Sequence, residues 1–172
     1  ACLVGSEMCI RDSLSASFNN IKRINTMLDR LSLLSKRKFE IGSLRAYDYP
    51  DFRDLKRVDE KTLRKLGFGF RARYIVEFSK FFNCDDELEE LNKLTTPDLE
   101  NYLRSIYGVG IKTASCISLY SFKRYESFPI DIWIARIIKK HYNEMDKLLS
   151  NLDKNYIKIK DYFNNIFQNH AG

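Results

Sequence analysis

The stretch Leu103-Arg-Ser-Ile-Tyr-Gly-Val-Gly-Ile-Lys-Thr-Ala-Ser-Cys116 constrains this chain more than any other. Leu103 and Ile106 are apolar at helical spacing, the turn Gly108-Val109-Gly110 interrupts them, and Ile111 to Ser121 reads as a second helix. Glycine at both ends of the turn permits positive φ and lets the backbone approach another molecule without a Cβ. The second helix opens with free N–H groups and the positive end of its dipole, which together attract a phosphate. Helix, glycine hairpin, helix is therefore the shape of a clamp for a nucleic-acid backbone. Lys112, just past the turn, is a phosphate contact or a nucleophile. The hairpin by itself leaves both open.

A second signal lies downstream. Phe128-Pro129-Ile130-Asp131 closes a short loop, and Asp131 is placed to start a further helix. A lysine on the hairpin and an aspartate after a proline at this distance carry more information together than either does alone.

The rest of the chain reads as helices. Ser17 to Leu34 places Ile21, Ile24, Leu28, Leu31 and Leu34 on one face, with Ser17 or Asn19 as cap and Lys22, Arg23 and Arg30 on the polar side. Residues 39–50 look irregular, broken by Gly42 and Pro50. Two short helices follow at 51–56 and 59–66, the second capped by Asp59. Gly67-Phe68-Gly69-Phe70-Arg71-Ala72-Arg73-Tyr74 then leads into a helix bearing Ile75, Phe78, Phe81 and Phe82. Glycines around aromatics, followed by two arginines, suit a wedge beside phosphate-binding groups; they suit equally a helix C-cap followed by core aromatics. Residues 87–94 form another short acidic helix. Thr96-Pro97-Asp98 announces the helix that enters the hairpin, with Thr96 as cap. Residues 132–142 bury Ile134, Ile137 and Ile138, and a final helix runs from Tyr156 to Asn169. No stretch reads as a convincing strand, so the expected class is all-α.

Composition narrows the function classes. The 172 residues suffice for one helical domain with a real core. A net charge of +6 suits a polyanionic partner. No apolar run nears the roughly 18 residues a membrane span needs, so no membrane partner is expected. Cys2, Cys9, Cys84 and Cys116 have neither zinc spacing nor an obvious disulfide framework. They fit a reducing interior. Residues 1–13, including Cys2-Leu-Val-Gly-Ser-Glu-Met-Cys-Ile-Arg-Asp-Ser13, look like the translation of a transposase adapter used in sequencing libraries. They are set aside as non-native, leaving a domain over 14–172.

With these residues in view, the chain resembles the helix-hairpin-helix (HhH-GPD) DNA glycosylase superfamily. Within it the closest likeness is to bacterial-type 8-oxoguanine DNA glycosylase/AP lyases, running from about Ser15 to Gly172. Four stretches carry it: Asn19-Asn20-Ile21-Lys22-Arg23-Ile24, 66–75, 108–116 and Phe128-Pro-Ile-Asp-Ile-Trp133. The resemblance implies an all-α fold and base-excision repair of oxidised purine in double-stranded DNA by a monomer, in the cytoplasm with the nucleoid or in a nucleus. It implies Lys112 as Schiff-base nucleophile and Asp131 as its carboxylate partner. Gly108, Val109 and Gly110 would hold the DNA backbone, Phe70 would be the wedge, and Asn19, Asn20, Arg23 and Arg71 would face the opposite cytosine. Cys116 and Trp133 would wall the base pocket. No side-chain metal is implied; a monovalent cation on the main-chain carbonyls of Ile106 and Val109 is.

Departures from the family pattern are specific. An asparagine triplet is replaced by Phe18-Asn19-Asn20, and Trp133 stands where animal enzymes carry histidine. The family's N-terminal sheet domain and a helix beyond Asn169-His-Ala-Gly172 are missing, so an incomplete fold with an open pocket is expected. Endonuclease III and adenine-mismatch relatives carry a four-cysteine iron–sulfur motif that this sequence lacks, and alkylation-damage enzymes lack the hairpin lysine. The alternatives are a glycosylase for another damaged base or a non-catalytic helix-hairpin-helix module.

Overall fold

The computed structural model describes residues 6–16, 19–35, 37–42, 44–47, 50–81, 85–168 and 172. Cys2, Ser17, Phe18, Phe82, Cys84 and Asn169, named above, lie outside them.

Helix α1 (Ser6–Ala16) comes first. Most of it falls in the stretch that resembles an adapter, yet it belongs to the core: Ile10 and Leu14 are fully buried. These two apolar residues fall four apart on one helical face, and burying each is worth about 1.5–3 kcal/mol. A boundary at residue 14 thus falls inside a helix. Helix α2 (Ile21–Ser32) is capped by Asn20, whose side chain accepts from the Arg23 amide at 2.9 Å. Asn19, one of the two caps expected, instead accepts from the Asn20 amide and donates to the Ser15 carbonyl, tying α1 to α2. Leu28 and Leu31 are buried as the periodicity implies; Ile21 is exposed, and Met27 is buried in addition.

Residues 39–50, expected to be irregular, contain a hairpin in an otherwise helical fold. Strands β1 (Lys38–Ile41) and β2 (Leu44–Tyr47) pair antiparallel, Lys38 opposite Tyr47 and Ile41 opposite Leu44. Gly42 lies just beyond β1 at φ +62°. The glycine marks a two-residue connection rather than a simple break.

Helices α3 (Phe52–Leu55) and α4 (Glu60–Lys65) follow, with Asp59 capping α4 through the Thr62 amide as expected. Then come α5 (Arg71–Phe81), α6 (Asp85–Asn92) and α7 (Thr96–Ser105). The cap of α7 is Thr95, not Thr96. Thr96 hydrogen-bonds Glu126 through its hydroxyl, so a tertiary partner shifted the helix start by one residue. Helix α8 (Ile111–Phe122) ends at Lys123 in the left-handed region. Helices α9 (Ile132–His141), α10 (Asp146–Leu149) and α11 (Leu152–Ile166) close the described chain, with a single 3-10 turn at Asn143–Met145.

Two apolar clusters result. The larger gathers Leu14, Leu31, Phe68, Phe78, Leu103 and Ile117, among others, around α8. Ala114, Ser115, Cys116 and Ser118 are all buried, and their small side chains let α1 and α7 approach the α8 backbone closely. The smaller cluster joins Phe128, Ile130 and Ile138 to Tyr156, Ile159 and Phe163. Ile137, expected inside, is exposed. Lys112 opens a helix of the first cluster, and Asp131 opens a helix of the second. The seam between the clusters is where the two meet.

Candidate active site

The hairpin forms as its glycines require. Gly108 has φ +89°, and a Cβ there would stand 2.2 Å from the Tyr74 ring. Gly110 is the N-cap of α8 and supplies no side-chain bond to the first turn, leaving those N–H groups available. They open onto a groove of about 1080 Å³. Asn19, Asn20 and Arg23 line it as well, so the sequence-predicted DNA contacts at the start of α2 and the hairpin share one groove.

A second cavity, about 680 Å³, adjoins the first. Its size falls in the usual range for a small-molecule site. Cys116, Phe128, Ile134 and Leu119 give it apolar walls. Lys112, Asp131 and Trp133 line both spaces. They stand at the doorway between a groove that can hold a backbone and a pocket that can hold a base.

Lys112 and Cys116 sit one turn apart on α8. Burial pushes the Cys116 thiol above its ordinary value; Lys112, which also hydrogen-bonds it, pulls the other way, and Asp131 adds to the rise. Asp131 is fixed by local backbone bonding. Its Oδ1 accepts from the amides of Trp133 at 2.8 Å and Ile134 at 2.9 Å, leaving Oδ2 without a hydrogen bond among the described residues. No ion pair joins Lys112 to Asp131 among those residues. The carboxylate is held by the helix, and the amine is not tied to it.

Other sequence-predicted residues fall differently. Phe70 is exposed and joins the hairpin through rings: Phe70 to Tyr74 and Tyr74 to Tyr107 are each 5.7 Å between centroids. Arg73 covers Tyr107 at 4.3 Å. Arg71, expected to face a cytosine, is 2% exposed with its guanidinium 4.3 Å from the Phe70 ring centre. In this conformation its guanidinium lies against the Phe70 ring. Arg23 is exposed and donates to the Gly67 carbonyl at 3.4 Å. Trp133 is largely exposed at the doorway rather than walled in.

Sequence reasoning missed several residues. Cys9 and Asp12 of α1 line the pocket, as do Asn25 and Tyr120. The first two were hidden by setting 1–13 aside; the others sit on helical faces with no motif to mark them. Among the described residues no cluster of His, Cys, Asp and Glu could hold a metal, and no helix is long and apolar enough to cross a membrane.

The chain is similar to known proteins in both sequence and fold. The chain is 32% identical over 134 residues to the N-glycosylase/DNA lyase OGG1 of Arabidopsis thaliana, covering 75% of this chain and 37% of that protein. The apo structure of the Clostridium acetobutylicum 8-oxoguanine glycosylase/lyase superposes with a TM-score of 0.82 at 25% identity, over 97% of this chain and 56% of that one. The same enzyme bound to double-stranded DNA containing cytosine opposite 8-oxoguanine gives 0.80 at 26% identity, over 96% and 55%. The chain thus spans roughly two fifths to a little over half of these proteins' lengths. The profile of the HhH-GPD superfamily of base excision DNA repair proteins matches residues 17–161, across hairpin, Lys112 and Asp131, and the chain belongs to that family.

Proposed function

We propose that the chain carries the catalytic centre of a DNA glycosylase/AP lyase that removes 8-oxoguanine from double-stranded DNA as a monomer. The observation that carries this reading is the position of Lys112 and Asp131 at the shared wall of groove and pocket. The relatives, an N-glycosylase/DNA lyase and an 8-oxoguanine glycosylase/lyase, support the same substrate.

The hairpin amides would hold a phosphate while Phe70 fills the space left by the extruded nucleotide. Asn19, Asn20 and Arg23 would face the orphaned cytosine. A cation on the carbonyls of Ile106 and Val109 would add positive charge against the phosphate. The Ile106 carbonyl already accepts the Val109 amide at 3.1 Å, which leaves it one lone pair for that cation.

The damaged base would enter the pocket beside Cys116. As the bond from base nitrogen to C1′ breaks, its electron pair leaves with the base, which takes up a proton. Positive charge develops at the sugar, and the Asp131 carboxylate stabilises it. Lys112, which gives the departing base its proton, forms the new bond to C1′ through the nitrogen lone pair thus freed. Sugar ring opening gives the Schiff base, and loss of a C2′ proton expels the 3′ phosphate.

Borohydride reduction tests this directly. Incubation with duplex DNA containing 8-oxoguanine should yield a covalent protein–DNA adduct, and Lys112→Gln should yield none while still binding DNA. An adduct formed equally by Lys112→Gln would refute the assignment, and DNA binding without any adduct would indicate a binding module.

A further inference from the structure

The first turn of helix α11 lines the groove at Leu152 and Asp153, and farther along one of its faces is polar where it meets the loop before Asp131. Tyr156, Lys160 and Asn164 are spaced four apart and so share that face. The buried Tyr156 hydroxyl donates to the Phe128 carbonyl at 3.0 Å and accepts from the Ile130 amide at 2.9 Å, bracketing Pro129 from both sides. Asn164 donates to the Glu126 carbonyl at 2.8 Å. Lys160 reaches both oxygens of Glu100 at 2.8 Å, an ion pair whose side chains are 11% and 12% exposed.

The same Glu100 carboxylate accepts from Ser127 at 2.9 Å and from Ser115 at 3.2 Å. The network therefore closes a circuit: α11 holds residues 126–130, Glu100 of α7 holds Ser127, and Ser115 of α8 links that carboxylate to the helix that carries Lys112. A turn bonded at Glu126, Ser127, Phe128 and Ile130 has little freedom where it delivers Asp131.

We propose that Tyr156, backed by Lys160 and Glu100, is a positioning residue that fixes the Asp131 carboxylate relative to Lys112 across the seam between the two clusters. The inference deepens the function proposed above and rests on it for its catalytic meaning. Tyr156 touches neither substrate nor cavity; it acts through the 126–130 loop. Burial pushes its hydroxyl up to about 12, so it stays protonated and keeps donating throughout the working pH range.

Residue-resolved hydrogen exchange on the 172-residue chain is the first test. In Tyr156→Phe the Ile130 amide loses its acceptor and must exchange faster whatever the role. The informative amides are Trp133 and Ile134, which bond to Asp131 and not to Tyr156. They should exchange about tenfold faster in Tyr156→Phe, and less markedly so in the milder Ser115→Ala, while Ile75→Val in the other cluster leaves them unchanged. Acceleration confined to Ile130 would overturn the proposal.

The second test separates positioning from general loosening. In Tyr156→Phe, kcat for base release should fall about tenfold with KM unchanged, while borohydride trapping on a preformed abasic site stays near wild type, because no base needs to leave. Equal losses in both reactions would make Tyr156 merely structural. A wild-type chain that forms no adduct on either DNA would refute the activity itself, and the Trp133 and Ile134 exchange would still decide whether the clamp exists.

Discussion

The Tyr74 ring fills the space a side chain on Gly108 would need: a Cβ there would lie 2.2 Å from Cδ1 and 2.4 Å from Cγ. Gly108 is also held at φ +89°, so an L-residue there is strained twice over. Gly110, two residues on, has an ordinary φ of −83°, and an added Cβ would meet nothing within 4 Å. The fold requires the first glycine and does not require the second.

That contrast yields a paired prediction. Gly108→Ala should lower stability by about 2 kcal/mol or more, through backbone strain and displacement of Tyr74. Gly110→Ala should change stability by no more than about 0.5 kcal/mol. It should nonetheless weaken DNA binding severalfold, because its methyl would stand where a phosphate approaches the α8 amides. Thermal melts and DNA titrations of both variants check this. Unchanged affinity in Gly110→Ala would mean that the backbone does not approach the hairpin there.

Asp131→Asn separates cap from charge. Asparagine caps helices as well as aspartate does, so the amides of Trp133 and Ile134 keep an acceptor and stability should shift by less than about 1 kcal/mol. Base release should slow by about two to three orders of magnitude with the loss of a carboxylate facing developing positive charge. A twofold effect in single-turnover assays would reduce Asp131 to a helix cap.

Tyr156 predicts an alkaline weakness. Burial raises its hydroxyl to about 12, whereas the unfolded chain releases the same proton near its ordinary value of about 10. The folded state therefore holds a proton the unfolded state has lost between those values, and stability falls as pH rises through the window. The contribution is whole below about pH 10 and is on the order of 2 kcal/mol smaller by about pH 12. Tyr156→Phe should be less stable near neutrality by roughly 1–3 kcal/mol, since two buried backbone groups lose their partner. Its stability should then decline less steeply across the window. Urea midpoints measured at several pH values decide it; parallel curves would show that Tyr156 does not titrate as its burial requires.

Much of the site was legible because its parts are local. Positive φ at a glycine, free amides after a turn and an aspartate capping a helix after a proline depend on residues a few positions apart. The same locality explains the failures. Thr96 looks like a cap until Glu126 draws its hydroxyl away, and Asn20 takes the role expected of Asn19. Arg71 carries a charge that suits a DNA contact, and only the fold shows that it is buried with its guanidinium against Phe70. Residues 1–13 read as a foreign leader from their sequence alone, which does not show that a helix over Ser6–Ala16 packs on α8.

By itself the sequence determined the helical class, the hairpin, and the pair Lys112 and Asp131, because short-range spacing sets backbone geometry and the first and last turns of helices. Only the tertiary structure decided that the two residues share one doorway and that a polar face of α11 holds the loop between them. Those facts depend on partners such as Glu100 and Lys160, 60 positions apart, whose pairing is favoured only once the chain has removed water from around both.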